Sequence, residues 1–93
     1  MLKSFIYGAR KISVGAKYVH YKGDTYKIEN IARKSNKHMI VYSSCKNNEV
    51  WVNDVSEFLG YVKLRGKNVV VPRFAEIPKR EENLNISVHD YTK

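Results

Sequence analysis

Cysteine and long apolar runs are scarce in this sequence. Cys45 is the single cysteine among 93 residues, so neither an internal disulfide nor a multi-cysteine metal site can form. The lack of a disulfide fits a reducing compartment, and we expect Cys45 to lie in or near the core. The apolar run from Phe5 to Tyr7 is too short for a signal-peptide core or a membrane span. We therefore expect a cytoplasmic protein.

The sequence also lacks the motifs of common catalytic and metal sites. It contains no HExxH, no paired metal-ligand spacing and no glycine-rich phosphate loop, and its five glycines are isolated. The three histidines, His20, His38 and His89, are spread along the chain. A nucleophile–base pair of Cys45 and His20 is conceivable, but no spacing supports it. We predict a non-enzymatic protein without metal or cofactor.

Basic residues are abundant. The chain has 17 Lys and Arg against 9 Asp and Glu, a formal net charge of +8. Residues 1–80 hold 16 of the basic and 6 of the acidic residues, a net +10, so the body is more basic than the whole chain. Such a surface attracts phosphates, nucleic acid or an acidic protein face. The alternative is a solvated surface that only aids solubility.

Short strands between turn signals run through most of the chain. We predict strands over residues 17–21, 25–32, 39–42, 50–52, 61–64 and 69–71. Asn53 or Asp54 can cap a helical turn over Val55 to Leu59, which Gly60 ends. Residues 1–13 fit a strand or a short helix equally well. This pattern predicts a mainly β protein, a small SH3-like antiparallel barrel with one short helical turn.

The length suits one domain, which we place at residues 1–78, followed by a polar C-terminal tail at 79–93. In that tail Ile86, Val88 and Tyr91 alternate weakly and could form an edge strand. Alternation along the strands gives the expected core. Its members are Val19, Tyr21, Tyr26, Ile28, Val41, Val52, Phe58 and Val62.

The segment from Tyr18 to Tyr26, YVHYKGDTY, resembles the opening Tyr-x-His-Tyr-Lys-Gly-x-x-Tyr of a bacterial and phage family, domain of unknown function 1653. The resemblance covers roughly residues 15–77 and ends in Pro72-Arg73-Phe74, near the family's Pro-Arg-Phe ending. Further matches between these ends are Ala32, Val41-Tyr42, Trp51-Val52, Phe58 and Val62. A bacterial or phage source also agrees with the frequent Lys, Asn, Ile and Tyr, which have AT-rich codons.

Two positions depart from the pattern of that family. Its tryptophan and valine are usually followed by Arg-Pro, where this chain has Asn53 and Asp54. It also tends to carry a His-Ser-Glu-like turn after the alanine, where this chain has the acid-free segment 33–37. A ligand contact through that arginine or glutamate would be lost or moved here. The family's name implies no activity.

Five residues are the candidate ligand contacts: His20, Lys22, Arg33, Trp51 and Arg73. His20 either fixes a turn by a hydrogen bond or contacts a ligand beside Lys22. Trp51 is either a core residue or a platform for stacking. Arg73, fixed by the preceding proline, either forks onto a phosphate or pairs with Glu57 or Glu76. Arg33 belongs to a basic loop that either contacts nucleic acid or is merely solvated.

Two functions fit these residues. The first is a binding module for a phosphate-bearing ligand, such as a nucleotide, a nucleotide signal or nucleic acid. The second is a protein-interaction module, for example a phage-encoded inhibitor or adaptor that docks an acidic host protein. No membrane partner is expected.

Overall fold

The protein is mainly β, with one short helix. The structure is a computed structural model that describes residues 2–78. The predicted tail at 79–93, including its possible edge strand, lies outside the described residues. The elements are β1 (Ser4–Tyr7), β2 (Arg10–Ser13), β3 (Lys17–His20), β4 (Thr25–Lys34), β5 (Lys37–Ser44), β6 (Val50–Asp54), α1 (Val55–Phe58), β7 (Tyr61–Lys63), β8 (Val70–Pro72) and β9 (Phe74–Ile77).

A five-stranded antiparallel sheet forms the body of the molecule, in the order β6-β5-β4-β3-β9. The hairpins β1–β2 and β7–β8 form two further sheets of two strands each. Within residues 2–78 no ladder joins the three sheets into a closed barrel, so the predicted barrel is confirmed only as a mainly β fold. Residues 1–13, undecided from the sequence, supply the β1–β2 hairpin.

Turn chemistry sets the local structure where the sequence predicted it. Gly23 has φ +110°, a value that L side chains rarely adopt, and it closes the turn between β3 and β4. The turn between β4 and β5 contains Ser35 at φ 54°. Asp54 caps α1, because its carboxylate accepts the backbone N–H of Glu57 at 2.9 Å. The helical turn, its cap and both predicted hairpins are thus present.

The core lies on one face of the large sheet. Phe58, Ile12, Ile28, Ile31 and Ile40 have less than 2% of their surface exposed. Aromatic rings fill the space beside them: Phe58 stacks on Phe74 at 4.2 Å between ring centroids. Tyr18 and Tyr42 contact Phe58 edge-on at 5.1 and 5.0 Å. These rings join β3, β5, α1 and β9 into one core.

Several predicted core positions are wrong. In β3 the buried residue is Tyr18, whereas Tyr21 lies past the strand and is 37% exposed. Val52 is 56% exposed because β6 is the sheet's edge and Val52 faces away from the core. Cys45 is exposed just after β5. Ile28 and Phe58 are buried as predicted, and four members of the predicted core are half-buried: Val19, Tyr26, Val41 and Val62.

A register shift explains one further difference in β4. The ladder with β5 shifts between Ile28 and Asn30, a β-bulge or similar irregularity. The extra residue changes which side chains face the core, so that Ile31 is buried and Ala32 is only half-buried. Strict alternation along β4 had placed Ala32 on the face of Ile28.

Replacing Phe58 by alanine is expected to lower the free energy of unfolding by about 3–5 kcal/mol. Phe58 is fully buried and its ring contacts Tyr18, Tyr42 and Phe74, so truncation leaves a cavity in the core. Urea denaturation followed by circular dichroism measures the change. The control Val52→Ala, at an exposed position, should shift stability by no more than about 0.5 kcal/mol. An unchanged midpoint for Phe58→Ala would contradict this account of the core.

Candidate functional site

The strand register places a set of aromatic side chains on one face of the large sheet. His20 lies opposite Phe74, Tyr18 opposite Tyr26, Ile28 opposite Tyr42, and Tyr42 opposite Trp51. Directly opposed residues of an antiparallel pair project to the same face, as do residues two apart on a strand. The aromatic face therefore crosses all five strands, from β9 at one edge to β6 at the other.

A depression of about 350 Å³ opens over one end of this face. We call it the aromatic depression. Its volume lies within the range of small-molecule sites. Its lining within residues 2–78 combines aromatic rings, one guanidinium and one amide, without Asp or Glu: His20, Tyr26, Tyr42, Trp51, Val52, Asn53, Arg73 and Phe74.

Of the five candidate ligand contacts, the structure brings three together here. His20, Trp51 and Arg73 come from β3, β6 and the residue between β8 and β9, and all three line the aromatic depression. Lys22 is exposed in the turn after β3 and does not line it. Arg33 is exposed near the tip of the β4–β5 hairpin, beside the turn at residues 35–36, and is also outside the lining.

His20 is held by the turn that follows β3. Its Nδ1 accepts the backbone N–H of Lys22 at 3.2 Å, and its ring lies edge-on to Phe74 at 4.9 Å. With Nδ1 acting as an acceptor, the neutral ring carries its proton on Nε2. Burial, then the charges of Lys22 and Arg73, lower the pKa of His20, against a smaller opposing effect of Asp24. The neutral imidazole is a fixed hydrogen-bond donor, so the turn role and the ligand-contact role are compatible.

Arg73 is fixed at its backbone and at its side chain. Its N–H donates to the Gly60 carbonyl at 2.9 Å, and its own carbonyl accepts the N–H of Tyr21 at 3.0 Å. The guanidinium Nε donates to the Glu57 carbonyl at 3.1 Å. No ion pair of Arg73 with Glu57 or Glu76 is found among residues 2–78, and the terminal amino groups make no hydrogen bond there. They are positioned to act as donors toward the depression.

Trp51 is a surface residue. It is 48% exposed on the edge strand β6, which excludes the core role and leaves a ring face open to solvent. Its neighbour on the same strand face, Asn53, donates from Nδ2 to the Tyr42 hydroxyl at 3.0 Å. Burial, followed by the neighbouring Tyr26, raises the pKa of Tyr42, against the hydrogen bond from Asn53. Tyr42 therefore keeps its hydroxyl proton at neutral pH.

The sequence analysis did not place four of the lining residues at the site: Tyr26, Tyr42, Asn53 and Phe74. For Asn53 a signal was available, because a residue two positions after Trp51 shares its strand face. Tyr26 had been assigned to the core only, yet its half-buried ring contacts Tyr42 at 5.4 Å and Phe74 at 5.6 Å. The large apolar area of the tyrosines fits the core, and their hydroxyls suit its solvent-facing rim.

A larger hollow, of about 620 Å³, lies against the loop between β7 and β8. Its lining is confined to residues 63–68, a single loop with Lys63, Arg65 and Lys67. It contains no aromatic ring, and no second element converges on it. The aromatic depression is the better candidate because side chains from five strands meet there.

Two absences also hold for the described part of the chain. No group of three or more His, Cys, Asp or Glu that could hold a metal ion occurs in residues 2–78. No helix in the same range is long and apolar enough to cross a membrane.

Comparison with known proteins identifies the family. A family model described as "Protein of unknown function (DUF1653)" matches residues 16–76. The chain belongs to this family, as the segment from Tyr18 to Tyr26 indicated. A search of curated proteins and a search of solved structures found no match. The two residues that depart from the expected pattern have structural roles, since Asn53 holds Tyr42 and Asp54 caps α1.

His20 should titrate below pH 6.5, the ordinary value for histidine, because burial and the two nearby cations disfavour its charged form. The sign for stability follows. The unfolded chain binds the proton more readily, so this contribution is complete above pH 6.5 and is lost as pH falls through the folded pKa. A proton NMR titration measures the pKa, with His20→Gln identifying the resonance.

The variant Arg73→Gln removes one of the cations that lower this pKa. The His20 midpoint should therefore move upward in Arg73→Gln. A midpoint at or above 6.5 in the wild type, or no movement in the variant, would contradict the electrostatic account.

Proposed function

We propose that this protein is a non-enzymatic binding module for a phosphate-bearing ligand, a nucleotide or nucleic acid, and that the aromatic depression is its site. The observation that carries the proposal is the convergence of His20, Trp51 and Arg73 on one depression. Arg73 supplies fixed donors for a phosphate, and Trp51 supplies an open ring face for a base. The formal charge of +8 adds long-range attraction for anions.

The charge of the lining favours an anion over a cation. Aromatic pockets can also bind organic cations through the faces of the rings. Here the guanidinium of Arg73 stands at the rim, and the lining within residues 2–78 has no Asp or Glu to neutralise a cation. An aromatic ligand with a negative group meets both the rings and the guanidinium, which is the combination found in a nucleotide.

Arg33 and Lys22 have a secondary role in this proposal. Both are exposed and lie outside the lining of the depression. They can strengthen binding of a polyanion through salt-dependent attraction without touching a single bound nucleotide. A mononucleotide and an oligonucleotide should therefore differ in their dependence on these two side chains.

We also propose that the three sheets act together as a small SH3-like barrel. The support is a single core that draws Ile12 from β2, Tyr18 from β3, Phe58 from α1 and Phe74 from β9. We place the protein in the cytoplasm, where the exposed free thiol of Cys45 suits a reducing environment.

A protein partner is the second candidate. Val50 and Val52 are 61% and 56% exposed on β6, an edge strand of the large sheet. Exposed edge strands can pair with a strand of another chain. The basic surface would then meet an acidic host protein, as in an inhibitor or adaptor.

Titration with nucleoside monophosphates and with a short single-stranded oligonucleotide, at low salt, tests the proposal. Trp51 is the only tryptophan, so its fluorescence should be quenched when a base stacks on it. We expect Arg73→Glu to abolish or strongly weaken binding of both ligands while the protein stays folded, as checked by thermal melting.

The matched control is Arg33→Glu, which makes the same charge change away from the depression. It should leave mononucleotide binding unchanged and weaken only the oligonucleotide. Equal affinity in wild type and Arg73→Glu would remove Arg73 from the site. If neither ligand binds the wild type at low salt, the phosphate proposal fails and the protein partner takes its place.

A further inference from the structure

Asn53 presents an unused donor and acceptor to the aromatic depression. One N–H of its amide donates to the Tyr42 hydroxyl at 3.0 Å, which fixes the orientation of the group. The carbonyl Oδ1 and the second N–H of Nδ2 have no hydrogen-bond partner among residues 2–78. Asn53 is half-buried and lines the depression. A ligand can therefore satisfy one donor and one acceptor that lie side by side.

Asn53 is also correctly placed to meet the edge of a base. It lies two residues after Trp51 on β6, on the same strand face, at a spacing of about 7 Å along the strand. A base that stacks on Trp51 is thus within reach of the amide. Arg73, also on the lining, offers its donors to the phosphate of the same ligand.

The paired donor and acceptor discriminate among the bases. Adenine presents an acceptor at N7 beside a donor at N6, which a carboxamide can pair with at both atoms. Guanine presents two acceptors at N7 and O6, cytosine one donor at N4, and thymine one acceptor at O4. Only adenine satisfies both free groups of Asn53 through this edge.

The geometry points to an adenine nucleotide, or an adenine base within a single strand, as the ligand of the aromatic depression, with Asn53 reading N6 and N7. This inference rests on the proposed function, because it names the ligand of that same site. Tyr42 acts through Asn53 as a positioning residue.

Titration of the wild type with AMP, GMP, CMP and UMP, followed by tryptophan fluorescence and calorimetry, tests the inference. AMP should bind about 5- to 150-fold more tightly than GMP, the range expected for one well-formed bidentate contact. Two analogues probe the atoms separately. The monophosphates of 7-deazaadenosine, which lacks N7, and of purine riboside, which lacks the amino group, should each lose most of this advantage.

Variants then assign the preference to Asn53. Asn53→Asp exchanges the donor for a second acceptor and should bring the ratio of AMP to GMP affinity close to one. Tyr42→Phe should reduce the ratio by releasing the amide, with stacking on Trp51 intact. Val50→Ala, on the opposite strand face, should leave the ratio unchanged. If Asn53→Asp melts early, Asn53→Ala replaces it with the same expectation.

The outcomes separate the two proposals. Equal affinities for AMP and GMP, or an AMP preference that survives in the Asn53 variants, overturn the adenine inference and leave the phosphate-binding proposal standing. Absence of binding by every nucleotide overturns both. An AMP preference that disappears with either analogue and with Asn53→Asp supports the inference.

Discussion

The stack of Phe58 on Phe74 is the contact on which the rest of the molecule depends. The two rings lie 8° from parallel at 4.2 Å, and they come from α1 and β9, which are far apart in the sequence. Phe74 fixes β9 beside β3, and Phe58 places α1 over the face of the sheet. A chain of this size has few large side chains with which to fill a core. Aromatic rings supply that bulk here, so one contact between two elements closes the core.

The same aromatic residues serve both the core and the candidate site. Phe74 has its ring in the core cluster and also lines the aromatic depression. Tyr42 contacts Phe58 on one side and binds Asn53 through its hydroxyl on the other. A substitution at either position changes stability and the shape of the site together. Trp51, Asn53 and Arg73 are outside the core cluster, which is why these positions can separate binding from folding.

The positions of strands and turns could be predicted because they depend on local signals. Glycine and polar residues mark the turns, and an aspartate before an apolar segment marks the start of the helix. The faces of the strands were harder. In Lys17–His20 both alternating sets contain apolar residues, Tyr18 on one side and Val19 on the other, so alternation alone cannot choose between them. The register shift after Ile28 depends on pairing with β5, which no local pattern reveals.

Convergence of the candidate ligand contacts was likewise beyond the sequence. Chemistry identified His20, Trp51 and Arg73 one at a time, and the register of five strands brings them to one depression. Arg33 has the same chemistry as Arg73, yet it belongs to the far end of a long hairpin. Exposure and charge could be estimated from the sequence, whereas distance along a folded sheet could not.

The two arginines also differ in what binding would cost. An exposed arginine such as Arg33 loses much of its rotamer freedom when it holds a ligand, and this loss opposes affinity. Arg73 has already lost part of that freedom, because its N–H, its carbonyl and its Nε are each hydrogen-bonded to a different residue. The donors that remain on its guanidinium are held in place before a ligand arrives. A preorganised cation beside an open tryptophan therefore gains more from one phosphate than a mobile cation on a hairpin tip.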